Sequence, residues 1–324
     1  MANKRKIRNR LFLAGLACVL VVGGVFAFRK LTQKPTDPRS QVEIKLSEQG
    51  YPEEVIRTIL PLSSDKINYL LAQDYDVQRT NLILDPYATL ANLDRYMAYT
   101  QAHPEDSVDT VVLMVNINRD YPFYTHTSEV SDPDNLLVIV NKYYGLPKTY
   151  EPDDLVDIEA AYNGRTDGMK VTVRKAAADA FYAMNDALKQ QTGMVVKTTT
   201  AFRDYAFQNN LYTFYTAAYG QEKADLESAR PGFSEHQTGL AMDINANGDI
   251  IDDFMYSQQY QWVKDHAHEF GFIIRYQESL TEITGYKKEE WHLRYVGIEH
   301  ATAIFNQSIS LEEYVMRLNS GVSQ

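Results

Sequence analysis

Two short stretches of this 324-residue chain concentrate the residue types that bind metals and move protons. The first is Ser234-Glu235-His236-Gln237-Thr238-Gly239-Leu240-Ala241-Met242-Asp243-Ile244, a polar, glycine-containing run that leads into an apolar strand. A turn at Gly239 would fold His236 back toward Asp243, offering one nitrogen and one oxygen ligand. The second is Glu289-Glu290-Trp291-His292-Leu293-Arg294-Tyr295-Val296-Gly297, in which a histidine opens an alternating strand and a carboxylate stands three residues earlier. Together they supply a His, Asp, His set, and three protein ligands with an open fourth position are what catalytic zinc needs to activate a water. Glu289 is then the candidate acid/base. Taken singly, each residue has an ordinary alternative: a hydrogen-bonded structural histidine or a solvated surface carboxylate.

Other residues narrow the ligand set. The only cysteine is Cys18, so no thiolate is available to a site farther along the chain, which must use His, Asp or Glu. His266 and His268 stand two apart in a segment, 260–270, that reads as a helix, where such positions face different ways. His103, His126 and His300 belong to no motif, and there is no H-E-x-x-H pair. Alternation puts Trp291, Leu293 and Tyr295 on one face of their strand, read as core, and His292 with Arg294 on the other.

The elements that must position these groups follow from periodicity. Residues 41 to about 105 read as helical, with Val55, Ile56, Ile59 and Leu60, then Ile67, Leu70 and Leu71, then Leu90, Leu93 and Tyr96 at helical spacing. Pro52 and Pro61 punctuate them, and Ser63 and Ser64 are candidate caps. Val108–Ile117 and Asn135–Tyr144 read as strands. Beyond them the pattern predicts a helix over 173–190, a strand over 194–202, a helix over 205–219, and extended pieces near 240–245, 272–276 and 291–296. The fold class is therefore α+β.

Leu11 to Phe28 is an uncharged stretch flanked by Lys4, Arg5, Lys6, Arg8 and Arg10, and it reads as an uncleaved transmembrane anchor with a cytoplasmic N-terminus, the rival reading being a cleaved signal peptide. Everything after Lys30 is then extracellular. Residues 1–30 hold seven Lys or Arg and no acid, leaving 25 basic against 43 acidic residues outside. Such a surface repels nucleic acid. The expected organisation is a basic cytoplasmic segment (1–10), the anchor (11–28), a proline-containing linker (29–40), a mainly helical extracellular region (41–165) and a catalytic domain (166–324).

The order S-x-H-x-x-G-x-A-x-D followed by E-x-W-H-x-R-Y-V-G resembles the paired signature of the VanY-type D-alanyl-D-alanine carboxypeptidases. Between and before the motifs, Trp262-Val263, Gly271-Phe272-Ile273-Ile274-Arg275-Tyr276 and Thr284-Gly285-Tyr286 are similar to the family's connecting segment, and Ala201-Phe202-Arg203 with Gln208 to its upstream Y-R-S-x-x-x-Q element. The likeness covers about residues 170–300. It implies a zinc peptidase domain of the Hedgehog/DD-peptidase kind, with a small antiparallel sheet flanked by helices. By position it implies one zinc ion per chain on His236, Asp243 and His292, with Glu289 as general acid/base. Arg203 matches the arginine that polarises the scissile carbonyl, and Gln208 and Ser234 match positions that contact the substrate's terminal D-residue or its carboxylate. Phe202 and Asp204 stand where the commoner residues are Tyr and Ser. The implied substrate is the peptidoglycan stem peptide, trimmed of its C-terminal D-alanine by D,D- or L,D-carboxypeptidase action. Two alternatives stay open: a non-catalytic cell-wall-binding or signalling ectodomain that keeps the fold, and a peptidoglycan endopeptidase.

Overall fold

The computed structural model describes residues 39–246 and 251–321. The basic segment, the anchor at Leu11–Phe28 and nearly all of the 29–40 linker lie outside the described residues. Among those described, no helix is long and apolar enough to cross a membrane. The chain divides into two compact units, one ending at Thr80 and the other running from Asn81.

In the first unit the helical spacing is realised as Gln41–Glu48, Glu53–Ile59 and Ser64–Leu70. Ser40 and Glu43 form a reciprocal cap, in which each side chain accepts from the other's backbone N–H (3.2 and 2.6 Å). Pro52 immediately precedes the second helix, and Ser63 caps the third. Leu46, Ile56, Ile59 and Leu70 are buried there.

The second unit opens with helices Leu93–Ala102 and Val108–Asn116. The latter corrects the strand expected at Val108–Ile117. Its valines favour extended structure, but local end signals and packing outweigh that preference. Ser107 accepts from Thr110 N–H at the start, and Val111, Val112 and Val115 fall on one buried side. At the end Asn118 takes φ +65°, and the Arg119 N–H closes on the Met114 carbonyl at 2.8 Å.

Asn135–Tyr144 is a second correction, because only Tyr144 enters a ladder. Tyr144–Gly145 (β2) pairs in parallel with Ser128–Glu129 (β1). Upstream, side-chain amides replace strand partners: Asn135 Oδ1 accepts from Leu137 N–H, and Asn141 Oδ1 from Tyr143 and Tyr144 N–H. The carbonyls of Leu136 and Val138 accept from the Arg294 guanidinium, both at 2.9 Å. The apolar run is largely buried as an irregular loop, its backbone bonded partly to these side chains and partly through local turns such as Val138 N–H to the Asn135 carbonyl (3.0 Å).

Leu155–Asp157 (β3) and Thr172–Arg174 (β4) form an antiparallel pair that feeds the helix Lys175–Thr192. The central sheet follows: Lys197–Thr200 (β5), Ala241–Asn245 (β6), Phe272–Tyr276 (β7) and Glu289–Tyr295 (β8), antiparallel in the order β5-β6-β8-β7. Ala177, Phe181, Met184 and Leu188, one stripe of the long helix, pack with Met242, Ile244, Phe272 and Leu293 of the sheet. On the strands, alternation turns Asp243, His292 and Arg294 to the opposite side. The C-terminal helices Ile298–Gln307 and Leu311–Asn319 form a separate cluster around Ile273, Val296, Ile304 and Leu311. Mixed helix and antiparallel sheet agree with the expected fold class.

Candidate metal centre

Asp243 and His292 face each other in register across β6 and β8, so their side chains leave the sheet as cross-strand neighbours. His236 reaches them from outside the sheet. It lies in the 3-10 turn Glu235–Thr238, which ends at Gly239 with φ +66°. A Cβ on Gly239 would stand 2.9 Å from Arg174 Cγ and 3.0 Å from Leu155 Cδ2, so both conformation and space call for glycine. The turn expected there does fold His236 over Asp243.

All three residues are buried, and one ligand atom from each lies within 4.8 Å of the others. His236 Nδ1 donates to the Ala201 carbonyl at 2.7 Å, which leaves Nε2 with its lone pair directed at Asp243 Oδ2, 3.4 Å away. His292 presents Nδ1, 3.3 Å from Asp243 Oδ1, yet that buried oxygen makes no hydrogen bond. Two imidazole nitrogens and an unsatisfied carboxylate oxygen converging on one point are a fitting donor set for zinc.

Electrostatics point the same way. Burial would raise the Asp243 pKa, but the histidines and Arg203 hold it well below the carboxylate range. His236 is lowered by burial and by the nearby Arg203 charge. Burial alone would also lower His292, yet Asp243, Glu235 and Glu289 raise it well above the imidazole range. Asp243 is thus held as the carboxylate, His236 as the neutral imidazole a metal needs, and positive charge is favoured on the His292 side, beside the carboxylates.

Glu289 owes its place to an irregularity. It stands three residues before His292, so strict alternation would put the two on opposite faces. Ile274 pairs with Leu293 and Tyr276 with Glu289, so β8 uses four steps where β7 uses two. The bulge swings Glu289 Oε2 to 3.4 Å from His292 Nδ1, with its side chain partly exposed. Leu293 points into the core as expected. Trp291 packs against that core and also lines the cavity above the site.

Arg203 lies between β5 and the helix Tyr205–Tyr219. Its Nη2 donates to Asp243 Oδ2 at 2.9 Å. The neighbouring Asp204 caps that helix by accepting from Phe207 N–H at 2.6 Å. Gln208 is the buried position of the same helix, its Nε2 donating to Ser228 Oγ (3.1 Å) and the Ala229 carbonyl (2.8 Å). Arg203, Gln208, Ser234, His236, Asp243, Glu289 and His292 all border one cavity of about 230 Å³. His266 pairs with Glu269, and His268 stacks on Phe305, so neither joins the centre.

Sequence reading missed the charges behind the site. Glu235, Arg275, Arg294 and Glu312 are buried together, with Glu235 accepting from Arg275 Nε (2.9 Å) and Arg294 Nη1 (2.8 Å). The available signal was an arginine within each of the apolar strands β7 and β8, on the face that alternation turns away from the main core.

Comparison with known proteins places this arrangement. Residues 170–298 match the VanY family, described as D-alanyl-D-alanine carboxypeptidase. The chain is 42% identical over 190 residues to YodJ of Bacillus subtilis, a carboxypeptidase by name; the match covers 57% of this chain and 68% of that protein. It is 32% identical over 187 residues to VanXYC of Enterococcus gallinarum, a bifunctional D-Ala-D-Ala dipeptidase and carboxypeptidase, covering 56% and 93% respectively. Among solved structures it resembles the LdcB LD-carboxypeptidase at 39% identity and a TM-score of 0.54, over 59% of this chain and 90% of that one. Its paired motifs, its fold and its relatives therefore agree, and the chain belongs to the VanY-type D-alanyl-D-alanine carboxypeptidase family, as an enzyme of the carboxypeptidase class.

Proposed function

We propose that this protein is a zinc-dependent carboxypeptidase that releases the C-terminal D-alanine of peptidoglycan stem peptides. One zinc per chain would be held by His236 Nε2, Asp243 and His292 Nδ1. When bound, zinc supplies Lewis acidity, which lowers the pKa of water and polarises a carbonyl. The convergence of these three ligand atoms with Glu289 and Arg203 around one small cavity carries the reading.

The chain's own groups have distinct tasks. Glu289, partly exposed to the cavity, takes the proton of the attacking water and returns it to the leaving amine. Arg203 spends one N–H on Asp243 and keeps others for the oxygen on which charge develops. Gln208 Nε2 is committed to a carbonyl and a hydroxyl, so its partnerless Oε1 is what remains to offer. It suits a substrate N–H, and Ser234 on the cavity wall suits the terminal carboxylate. A cavity of about 230 Å³ lies below the usual range for ligand pockets and fits the end of a peptide better than its middle.

The substrate class draws support from the D-alanyl-D-alanine carboxypeptidase of Enterococcus faecalis, 36% identical over 190 residues with 65% of that protein covered, and from LdcB. The apolar run Leu11–Phe28 with its basic flank supports a single-pass anchor and an extracellular catalytic domain.

The test is to purify the protein, measure bound zinc, and weigh the products from a stem pentapeptide and a stem tetrapeptide. D-alanine should leave one of them, and Glu289→Ala should abolish release while keeping zinc. Wild type that holds zinc and cleaves neither would replace this reading with a wall-binding module. Cleavage within a cross-bridge would instead make it an endopeptidase.

A further inference from the structure

His292 turns Nδ1 toward Asp243 and Glu289, so its Nε2 needs an outer partner. Glu235 Oε2 stands 3.6 Å from it, just beyond hydrogen-bond length, and neither of these buried atoms has any hydrogen-bond partner. The other oxygen of Glu235 is clamped by Arg275 Nε and Arg294 Nη1. Buried charges persist only when paired and hydrogen-bonded, and the two arginines pair this buried carboxylate at 2.9 and 2.8 Å.

We propose that Glu235 is a positioning residue for the metal centre, fixing His292 in the tautomer with the proton on Nε2 and Nδ1 bare. The inference rests on the metallopeptidase reading above. Its geometry is specific: one oxygen is locked by the arginines and the second is left for the imidazole. Glu235 also adjoins His236, so the Glu235–Thr238 turn supplies one ligand and aims another.

The brace extends beyond the family-matched segment. Arg275 is gripped from behind by Glu312, with Nη1 and Nη2 donating at 3.0 and 2.5 Å. Glu312 belongs to the helix Leu311–Asn319, and Asn141 donates to the same carboxylate at 3.4 Å. Residues 136–141 and the C-terminal helix, both outside 170–298, thereby hold the arginines that hold Glu235. A metal-ligating histidine is oriented by what its other nitrogen donates to, and losing that partner typically weakens metal binding roughly 10- to 100-fold.

Two measurements test this. In zinc-loaded, 15N-labelled wild type, His292 should show a slowly exchanging proton on Nε2 and none on Nδ1. Zinc affinity, read by competition with a chromophoric chelator, should fall roughly 10- to 100-fold in Glu235→Gln, and by a smaller factor in Glu312→Gln. Thermal unfolding of the zinc-free proteins is read alongside, since a merely structural brace would lower Tm without changing the affinity of the folded protein. Should Glu235→Gln fail to fold, the wild-type spectrum and Glu312→Gln decide. A bare Nε2, or unchanged affinity in every folded variant of a zinc-binding, D-alanine-releasing wild type, overturns the positioning role and leaves the carboxypeptidase reading standing. A wild type that binds no zinc overturns both.

Discussion

Asp243 and His292 are direct partners in the β6–β8 ladder, so two of the three candidate ligands are set by strand register. A one-residue slip of either strand would turn its own ligand to the core face and leave the other without its partner. Asp243→Asn keeps the shape and the register while removing the charge. It should weaken zinc binding by more than the roughly 10- to 100-fold typical of losing an outer partner, and D-alanine release should fall with it. Chelator treatment of wild type should likewise stop release, and added zinc should restore it. Release that survives complete metal removal would contradict the assignment.

Arg203 offers a different test, because it touches Asp243 yet lies outside the ligand set. Arg203→Lys retains the charge and loses the planar fork. Turnover should drop by about 10²- to 10³-fold, the usual cost of an oxyanion donor, with zinc content unchanged. Steady-state kinetics and metal analysis on one preparation check it.

Gly239 links backbone conformation to the site. Alanine there must adopt φ +66° with its Cβ against Arg174 and Leu155. The left-handed conformation alone costs an L-residue about 1–2 kcal/mol. Gly239→Ala should therefore lose at least that much stability in urea, and should loosen zinc because the turn carries His236.

Lys142 gives a pH signature away from the metal. Its Nζ donates to the carbonyls of Asp225 (3.0 Å) and Gly285 (2.7 Å), and burial pushes its pKa down from 10.5 to about 8. The folded value lies below the unfolded one, so between them the unfolded chain holds a proton that the folded protein has released. Stability contributed by this group therefore rises with pH across that window and is flat below it. Relative to Lys142→Met, wild type should gain about 2 kcal/mol between pH 7 and pH 9.5, at about 1.4 kcal/mol per pH unit above 8. Urea titrations of both proteins at the two pH values measure it.

Periodicity read most of the site's scaffold correctly. Helix 205–219 and strand 272–276 match their expected bounds, and the helix expected at 173–190 runs over Lys175–Thr192. It failed where apolar runs were short and rich in valine. Val108–Asn116 is a helix because Ser107 and Asn118 set its ends, and 135–143 is a loop because Asn135, Asn141 and Arg294, with local turns, take hydrogen bonds a ladder would have used. Composition does not distinguish a buried helix turn from a strand over so few residues.

The donor chemistry is legible in the residues alone: two histidines and an aspartate in two motifs, a glutamate three residues before the second histidine, and no cysteine beyond Cys18. Strand alternation even separated Leu293, in the core, from His292. Packing settled which imidazole nitrogen faces inward, because that depends on the Ala201 carbonyl and Glu235, which approach from other segments. It also decided that a bulge in β8 returns Glu289 to the site, and that Arg275, Arg294 and Glu312 assemble around Glu235. Taking charges out of water is costly unless each meets a partner, and partners tens of residues apart in sequence, as these are, come together only in the folded chain.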